Sequence, residues 1–105
     1  MSITPKIVKK GLNKSVKLHM RVENKSKKNI SGQIVFIITT PTNKKEILKD
    51  TVIVKKLSKT DKYYDYLIRK NNPIGRYYVD GSFNFDKQKV QSETYKNDFF
   101  DVLKK

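Results

Sequence analysis

The sequence predicts an all-β domain, a two-sheet antiparallel sandwich of about seven to nine strands. Three observations carry this. Several segments place apolar residues on alternate positions, the period of a half-buried strand. Clusters rich in Gly, Pro, Asn and Lys separate those segments at short intervals. No segment sustains the 3.6-residue apolar period of a helix.

The 105 residues amount to one domain, residues 1–105, with one core. The first strand is expected over Ile3 to Val8, at a sheet edge, where Pro5 is tolerated because an edge need not donate every N–H. Gly11-Leu12-Asn13 reads as a turn. Val16 to Glu23 alternates cleanly, with Val16, Leu18, Met20 and Val22 on one face and Lys17, His19, Arg21 and Glu23 on the other. Asn24 to Asn29 is a polar, lysine-rich loop.

Gly32 to Thr40 is apolar on both faces, Ile34, Phe36 and Ile38 against Val35 and Ile37, as a central strand should be. Pro41-Thr42-Asn43-Lys44 makes the next turn. Glu46 to Leu48 and Thr51 to Leu57 give further strand material, split near Lys49-Asp50. Ser58 to Lys62 reads as a loop and Tyr63 to Arg69 as a tyrosine-rich strand. Arg76 to Phe85 points Tyr77, Val79, Gly81, Phe83 and Phe85 inward. Asp86-Lys87-Gln88 turns the chain, Val90 to Tyr95 runs back, and Phe99 to Leu103 closes the domain.

The most specific local feature is Pro73-Ile74-Gly75-Arg76-Tyr77. It resembles the tyrosine corner of immunoglobulin-like sandwiches, in which a Tyr at the start of the penultimate strand returns its hydroxyl to the preceding loop. Pro73, Gly75 and Tyr77 would form that corner. With the strand order, this makes the whole chain similar to immunoglobulin-like and fibronectin type III-like bacterial accessory sandwiches. The Cys…Trp…Cys hallmark of antibody domains is missing. A small proteinase-inhibitor family of similar length shares the pattern. Such sandwiches carry many functions, so the resemblance implies fold more than activity.

Charge is the second strong signal. The net charge is +14, and residues 1–62 hold 16 Lys/Arg against 4 Asp/Glu, while residues 63–105 hold 8 against 6. A basic half of this kind suits an anionic polymer or an acidic protein. Lys14, Lys17, Arg21, Lys25, Lys27, Lys28, Lys44, Lys45, Lys55 and Lys56 are the polyanion-binding candidates. Only Arg21, Arg69 and Arg76 are arginines, whereas sequence-reading nucleic-acid proteins lean on Arg for bidentate contacts.

Catalytic and metal chemistries find little footing. Without Cys there is no disulfide, thiol nucleophile or thiolate metal site. His19, the single histidine, lies between Lys17 and Arg21 on an outward face, with no carboxylate evidently placed to orient it. Asp80, Ser82, Asn84 and Asp86 share one strand face, but i and i+2 side chains stand roughly 6–7 Å apart, too far for four to close on one ion. Asp98 and Asp101 can be imagined as acid and base, yet nothing lifts them above surface carboxylates. No cofactor pattern is present, and an enzyme is not expected. Asn13-Lys14-Ser15, Asn24-Lys25-Ser26 and Asn29-Ile30-Ser31 match the glycosylation sequon, which matters only in a eukaryotic secretory setting.

No run approaches a membrane span, and the first ten residues lack the apolar core of a signal peptide. A cytoplasmic setting is expected unless the chain is a mature fragment. The reading that best joins these observations is a non-catalytic protein-interaction or assembly module of a bacterial or phage surface or structural protein. Val35, Ile37 and Tyr78 are its candidate interface, an outward apolar patch on the central sheet. A protein partner or self-association is expected. A polyanion-binding domain and a protease-inhibiting sandwich are the alternatives.

Overall fold

In a computed structural model, described for residues 1–11, 14–85 and 94–104, the chain forms eight strands in two sheets and no helix among those residues. The strands are β1 (Ser2–Thr4), β2 (Ile7–Lys9), β3 (Ser15–Asn24), β4 (Ile30–Thr39), β5 (Lys45–Val54), β6 (Ser58–Leu67), β7 (Gly75–Phe85) and β8 (Thr94–Leu103). One sheet has the order β1-β3-β6 and the other β2-β8-β7-β4-β5.

The faces follow from alternation. On β3, Val16, Leu18, Met20 and Val22 are buried, as their spacing requires. They meet Ile34, Phe36 and Ile38 of β4, Tyr77, Val79 and Phe83 of β7, and Phe100 and Val102 of β8 in a single core between the sheets. Tyr77 stacks on Phe100 with ring centroids 4.9 Å apart and 14° between planes.

Four expectations need correction. The first strand is two strands in different sheets: β1 pairs antiparallel with β3, and β2 pairs parallel with β8. The larger sheet is therefore mixed, not purely antiparallel. Pro5 stands where the chain changes sheets and has no N–H to leave unpaired there. Ile3 and Val8 are both buried, although their odd spacing would put them on opposite faces of one straight strand.

β5 is also continuous through Lys49-Asp50, with its ladder to β4 unbroken. Asp50 points toward the neighbouring sheet, where Lys62 Nζ meets its carboxylate at 3.1 Å. Residues 58–62 are not a loop but the first half of β6, paired residue for residue with β3. Among the described strands both β5 and β6 lie at sheet edges, and inward-pointing Asp50 and Lys62 give each edge the charged interruption that discourages strand addition. Finally, residues 94–103 form one strand, with a register shift between Val79 and Gly81 on its β7 partner. The Leu12-Asn13 part of the first turn, the Asp86-Lys87-Gln88 turn, residues 90–93 and the inward placement of Phe85 lie outside the described residues and side chains.

The remaining turns behave as their residues demand. Thr40 N–H donates to the Lys44 carbonyl at 2.8 Å, and Asn43 supplies the left-handed residue (φ 63°) of the β4–β5 link. Gly75 opens β7 at φ 137°, a conformation that L side chains rarely adopt.

Candidate functional site

The outer face of the five-stranded sheet gathers apolar side chains that sequence order scatters. In register, Lys45, Thr39, Tyr78 and Phe99 form one cross-strand row, and Ile47, Ile37 and Asp80 form the next. Directly opposed side chains stand about 5 Å apart. Ile47, Ile37, Tyr78 and Phe99 therefore make a diagonal apolar band across β5, β4, β7 and β8. Ile47 is 57% exposed and Tyr78 45%; Ile37 and Phe99 are half-buried.

Of the three expected interface residues, Ile37 and Tyr78 lie in this band. Val35 has the right parity but is 9% exposed, between Lys49 and Ser82 in the neighbouring strands. It shares the outer face with Ile37 and offers almost no surface. The alternation showed its direction but not its coverage.

Cations rim the band. The Arg76 guanidinium lies 3.9 Å from the Phe99 ring centroid, and Lys6 Nζ lies 5.4 Å from it. Arg76 grips Asp101 through Nε at 2.9 Å and Nη2 at 3.2 Å, a bidentate pairing. That guanidinium holds the Asp101 carboxyl below the ordinary range. At Asp98, burial pushes upward, but Lys6 and the Phe99 N–H outweigh it and the net shift is downward. Both carboxylates are thus ion-pair partners that stay ionised, which is poor preparation for an acid–base pair.

The opposite outer face, on the three-stranded sheet, overturns one expectation. His19 does have an orienting carboxylate: its Nε2 lies 2.8 Å from Asp61 Oδ1, and its Nδ1 lies 3.3 Å from Ser2 Oγ. The β3–β6 register sets Arg21 opposite Asp61 and His19 opposite Tyr63. The imidazole stacks on the Tyr63 ring, centroids 4.5 Å apart at 16°. Hydroxyl, imidazole and carboxylate are the parts of a nucleophilic relay. Here, however, Arg21 Nε takes the same Asp61 oxygen at 2.9 Å. Arg21 first and His19 second hold the Asp61 carboxyl below its usual range. The cluster is spread along a strand face and ties β1, β3 and β6 together. Its partners are 42 residues apart in sequence, so local reading had no means of finding them.

The polyanion candidates do not form one face. Lys25, Lys27 and Lys28 in the β3–β4 link join Lys55 and Lys56 in the β5–β6 link at one end. Lys14, Lys44 and Lys45 lie at the other end, ten strand residues away, about 30 Å. Lys17 and Arg21 sit between, on the three-stranded sheet, with Arg21 engaged by Asp61 and Lys17 5.8 Å from the Tyr63 centroid.

At the first end, Asn24 is the organiser. It is 2% exposed. Its Nδ2 donates to the carbonyls of Lys28 at 2.8 Å, Val54 at 2.9 Å and Lys55 at 3.3 Å, and its Oδ1 accepts from Ser26 N at 2.9 Å and Oγ at 2.7 Å. Lys56 N–H donates to Asn29 Oδ1 at 2.9 Å and Leu57 N–H to the Ser26 carbonyl at 3.1 Å. Five lysines are thereby fixed in one neighbourhood. The Asn24 sequon is closed by the same bonds, since its amide nitrogen is occupied.

Between edge strands β5 and β6 runs a cleft of about 360 Å³ lined in part by Glu46, Tyr64, Tyr66, Arg69 and Asn72. Burial first and Glu46 second push the Tyr66 hydroxyl pKa up. The Tyr64 hydroxyl is buried beside Asp50 without a hydrogen bond of normal geometry. These phenols remain protonated at neutral pH, so the cleft offers neutral hydroxyls and no nucleophile.

Among the described residues no group of three or more His, Cys, Asp or Glu side chains is placed to hold a metal ion, and no helix is long and apolar enough to cross a membrane. Compared with protein-family models and with curated proteins, the chain matches none.

Proposed function

We propose that this chain is a non-catalytic interaction module that binds a protein partner through the outer face of its five-stranded sheet. The observation that carries the reading is the band Ile47–Ile37–Tyr78–Phe99, apolar along its length and edged by Lys45, Arg76 and Lys6. An apolar centre with a charged rim is the anatomy of a recognition surface. The strand order and the Tyr77 corner support an immunoglobulin-like or fibronectin type III-like relationship, a scaffold that carries many functions.

Charge narrows the partner. The net charge of +14 disfavours a second copy of the chain, while on the face itself Arg76 and Lys6 are paired with Asp101 and Asp98, and Asp80 stands opposite Ile37. The complementary surface is therefore an apolar patch on a different protein of net negative charge, and self-association falls to second place.

The test compares two multiple variants in recovering a partner from the source extract. Ile47→Ser with Tyr78→Ala strips the band; Lys27→Gln, Lys28→Gln and Lys56→Gln strip the lysine end. The proposal expects the first to lose a partner that wild type retains at high salt, and the second to keep it. The reverse pattern overturns it.

A further inference from the structure

We propose that the lysine-bearing end of the sandwich docks on an anionic membrane surface, Leu57 entering the lipid interface while Lys25, Lys27, Lys28, Lys55 and Lys56 meet the phosphate headgroups. The protein then lies on the bilayer and does not span it. This surface is separate from the sheet face assigned to a protein partner.

The first observation concerns Leu57 itself. It is 68% exposed, the highest value among the exposed large apolar side chains described. It sits in the link between β5 and β6 with φ 54°. That is the left-handed region, where Gly or Asn carries a smaller steric penalty than a side chain such as Leu. A leucine here meets a backbone cost and is not repaid by burial within the chain. Local strain of this sort is kept where the residue serves something beyond the fold.

The second observation is charge. Residues 24–31 and 53–58 contain five lysines and no Asp or Glu; the next lysine, Lys59, stands opposite Glu23 in the β3–β6 register. Elsewhere on the chain, Lys6, Lys62, Arg21 and Arg76 each face a carboxylate. An apolar tip surrounded by lysines is the composition of an interfacial anchor: the apolar group enters the acyl boundary and each lysine near the surface adds attraction to anionic headgroups. Lysine stems suit this position because they lie along apolar surface while the ammonium stays in water.

The third observation is rigidity. Asn24 ties the two lysine-bearing links together, Leu57 N–H is bonded to the Ser26 carbonyl, and Ser58 Oγ donates to the Lys55 carbonyl at 2.7 Å. A held tip loses little conformational freedom on docking. A nucleic acid is the less fitting ligand. Its backbone rewards the lysines but gives Leu57 nothing to do, and the two lysine-bearing links, residues 25–29 and 55–57, contain no aromatic residue or arginine for bases.

The test measures sedimentation of the whole chain with vesicles of phosphatidylcholine alone or with added phosphatidylserine, and anisotropy with a labelled single-stranded oligonucleotide. Wild type is expected to bind the anionic vesicles only. Lys28→Gln should weaken that binding about fivefold, the factor carried by one lysine near such a surface. Leu57→Asn should weaken it about tenfold while leaving the melting temperature unchanged or raised, since Asn tolerates the left-handed backbone. Two results overturn the proposal. One is equal binding to both vesicle types. The other is anionic binding, to vesicles or to a preferred oligonucleotide, that Leu57→Asn leaves intact, which makes the end a lysine patch for polyanions in general.

Discussion

The Tyr77 hydroxyl donates a 2.7 Å hydrogen bond to the carbonyl of Pro73. Four residues of chain, Pro73 to Arg76, are thus closed into a corner whose ring lies fully buried against Phe100. The same contact sets where β7 begins and so where Tyr78, its neighbour on the outer face, points. Tyr77→Phe keeps the ring stacking and removes only the donor. It should cost about 1–2 kcal/mol, read as a lower urea midpoint with an unchanged slope. Wild-type stability would remove the corner from the account.

Asn24 makes a second prediction. Asn24→Ala strands the carbonyls of Lys28, Val54 and Lys55 and frees Ser26. Losing several buried hydrogen bonds at once should destabilise by about 2–4 kcal/mol. Equilibrium denaturation measures it, and Asn24→Asp should fall short of rescue because a carboxylate cannot donate.

Two glycines should respond unequally. A Cβ at Gly32 would stand 2.4 Å from the Asn84 carbonyl oxygen, a backbone atom, and 2.8 Å from the Phe83 ring. At Gly81 it would meet Met1 Sδ at 2.6 Å and Met20 Cε at 2.7 Å, the ends of adaptable side chains. Gly32→Ala should cost about 1–3 kcal/mol and Gly81→Ala distinctly less. Thermal unfolding of the pair checks the order.

Stability should fall in acid. Asp50 is held down by Lys62, Asp61 by Arg21 and His19, and Asp101 by Arg76. Each folded pKa is below the unfolded value of about 3.9. The stabilisation is therefore complete above that pH and is lost as pH falls through the folded values. The melting temperature should be nearly flat from about pH 7 to 5 and drop below about pH 4. Because the side chains of these pairs are partly exposed to solvent, each contributes little by itself, and Asp101→Asn should reduce the acid slope only slightly.

How much of this was legible depends on distance along the chain. β3 and the inward Tyr77, Val79, Gly81 and Phe83 of β7 are read directly, because alternation is local. So is the Tyr77 corner, spanning five residues. The split of the first strand left one trace: Ile3 and Val8 differ in parity across Pro5, which a single strand cannot bury on one face. β6 hid its first half because Thr60 and Lys62 break the apolar alternation, and the reason for an inward lysine is Asp50 in the other sheet. The His19–Asp61 pairing and the Ile47–Ile37–Tyr78–Phe99 band need strand register. Register is set by long-range packing and turn geometry that no local window contains.

The most direct measurement of the central claim is position-resolved photo-cross-linking. A photoreactive phenylalanine analogue would replace Tyr78, on the outer face of the five-stranded sheet, or Tyr63, on the outer face of the other, both well exposed. The account predicts one discrete protein adduct from position 78 that survives high salt and is competed by unlabelled wild type, with no matching adduct from position 63. Equal labelling from both positions, or a discrete adduct from position 63 alone, would contradict it.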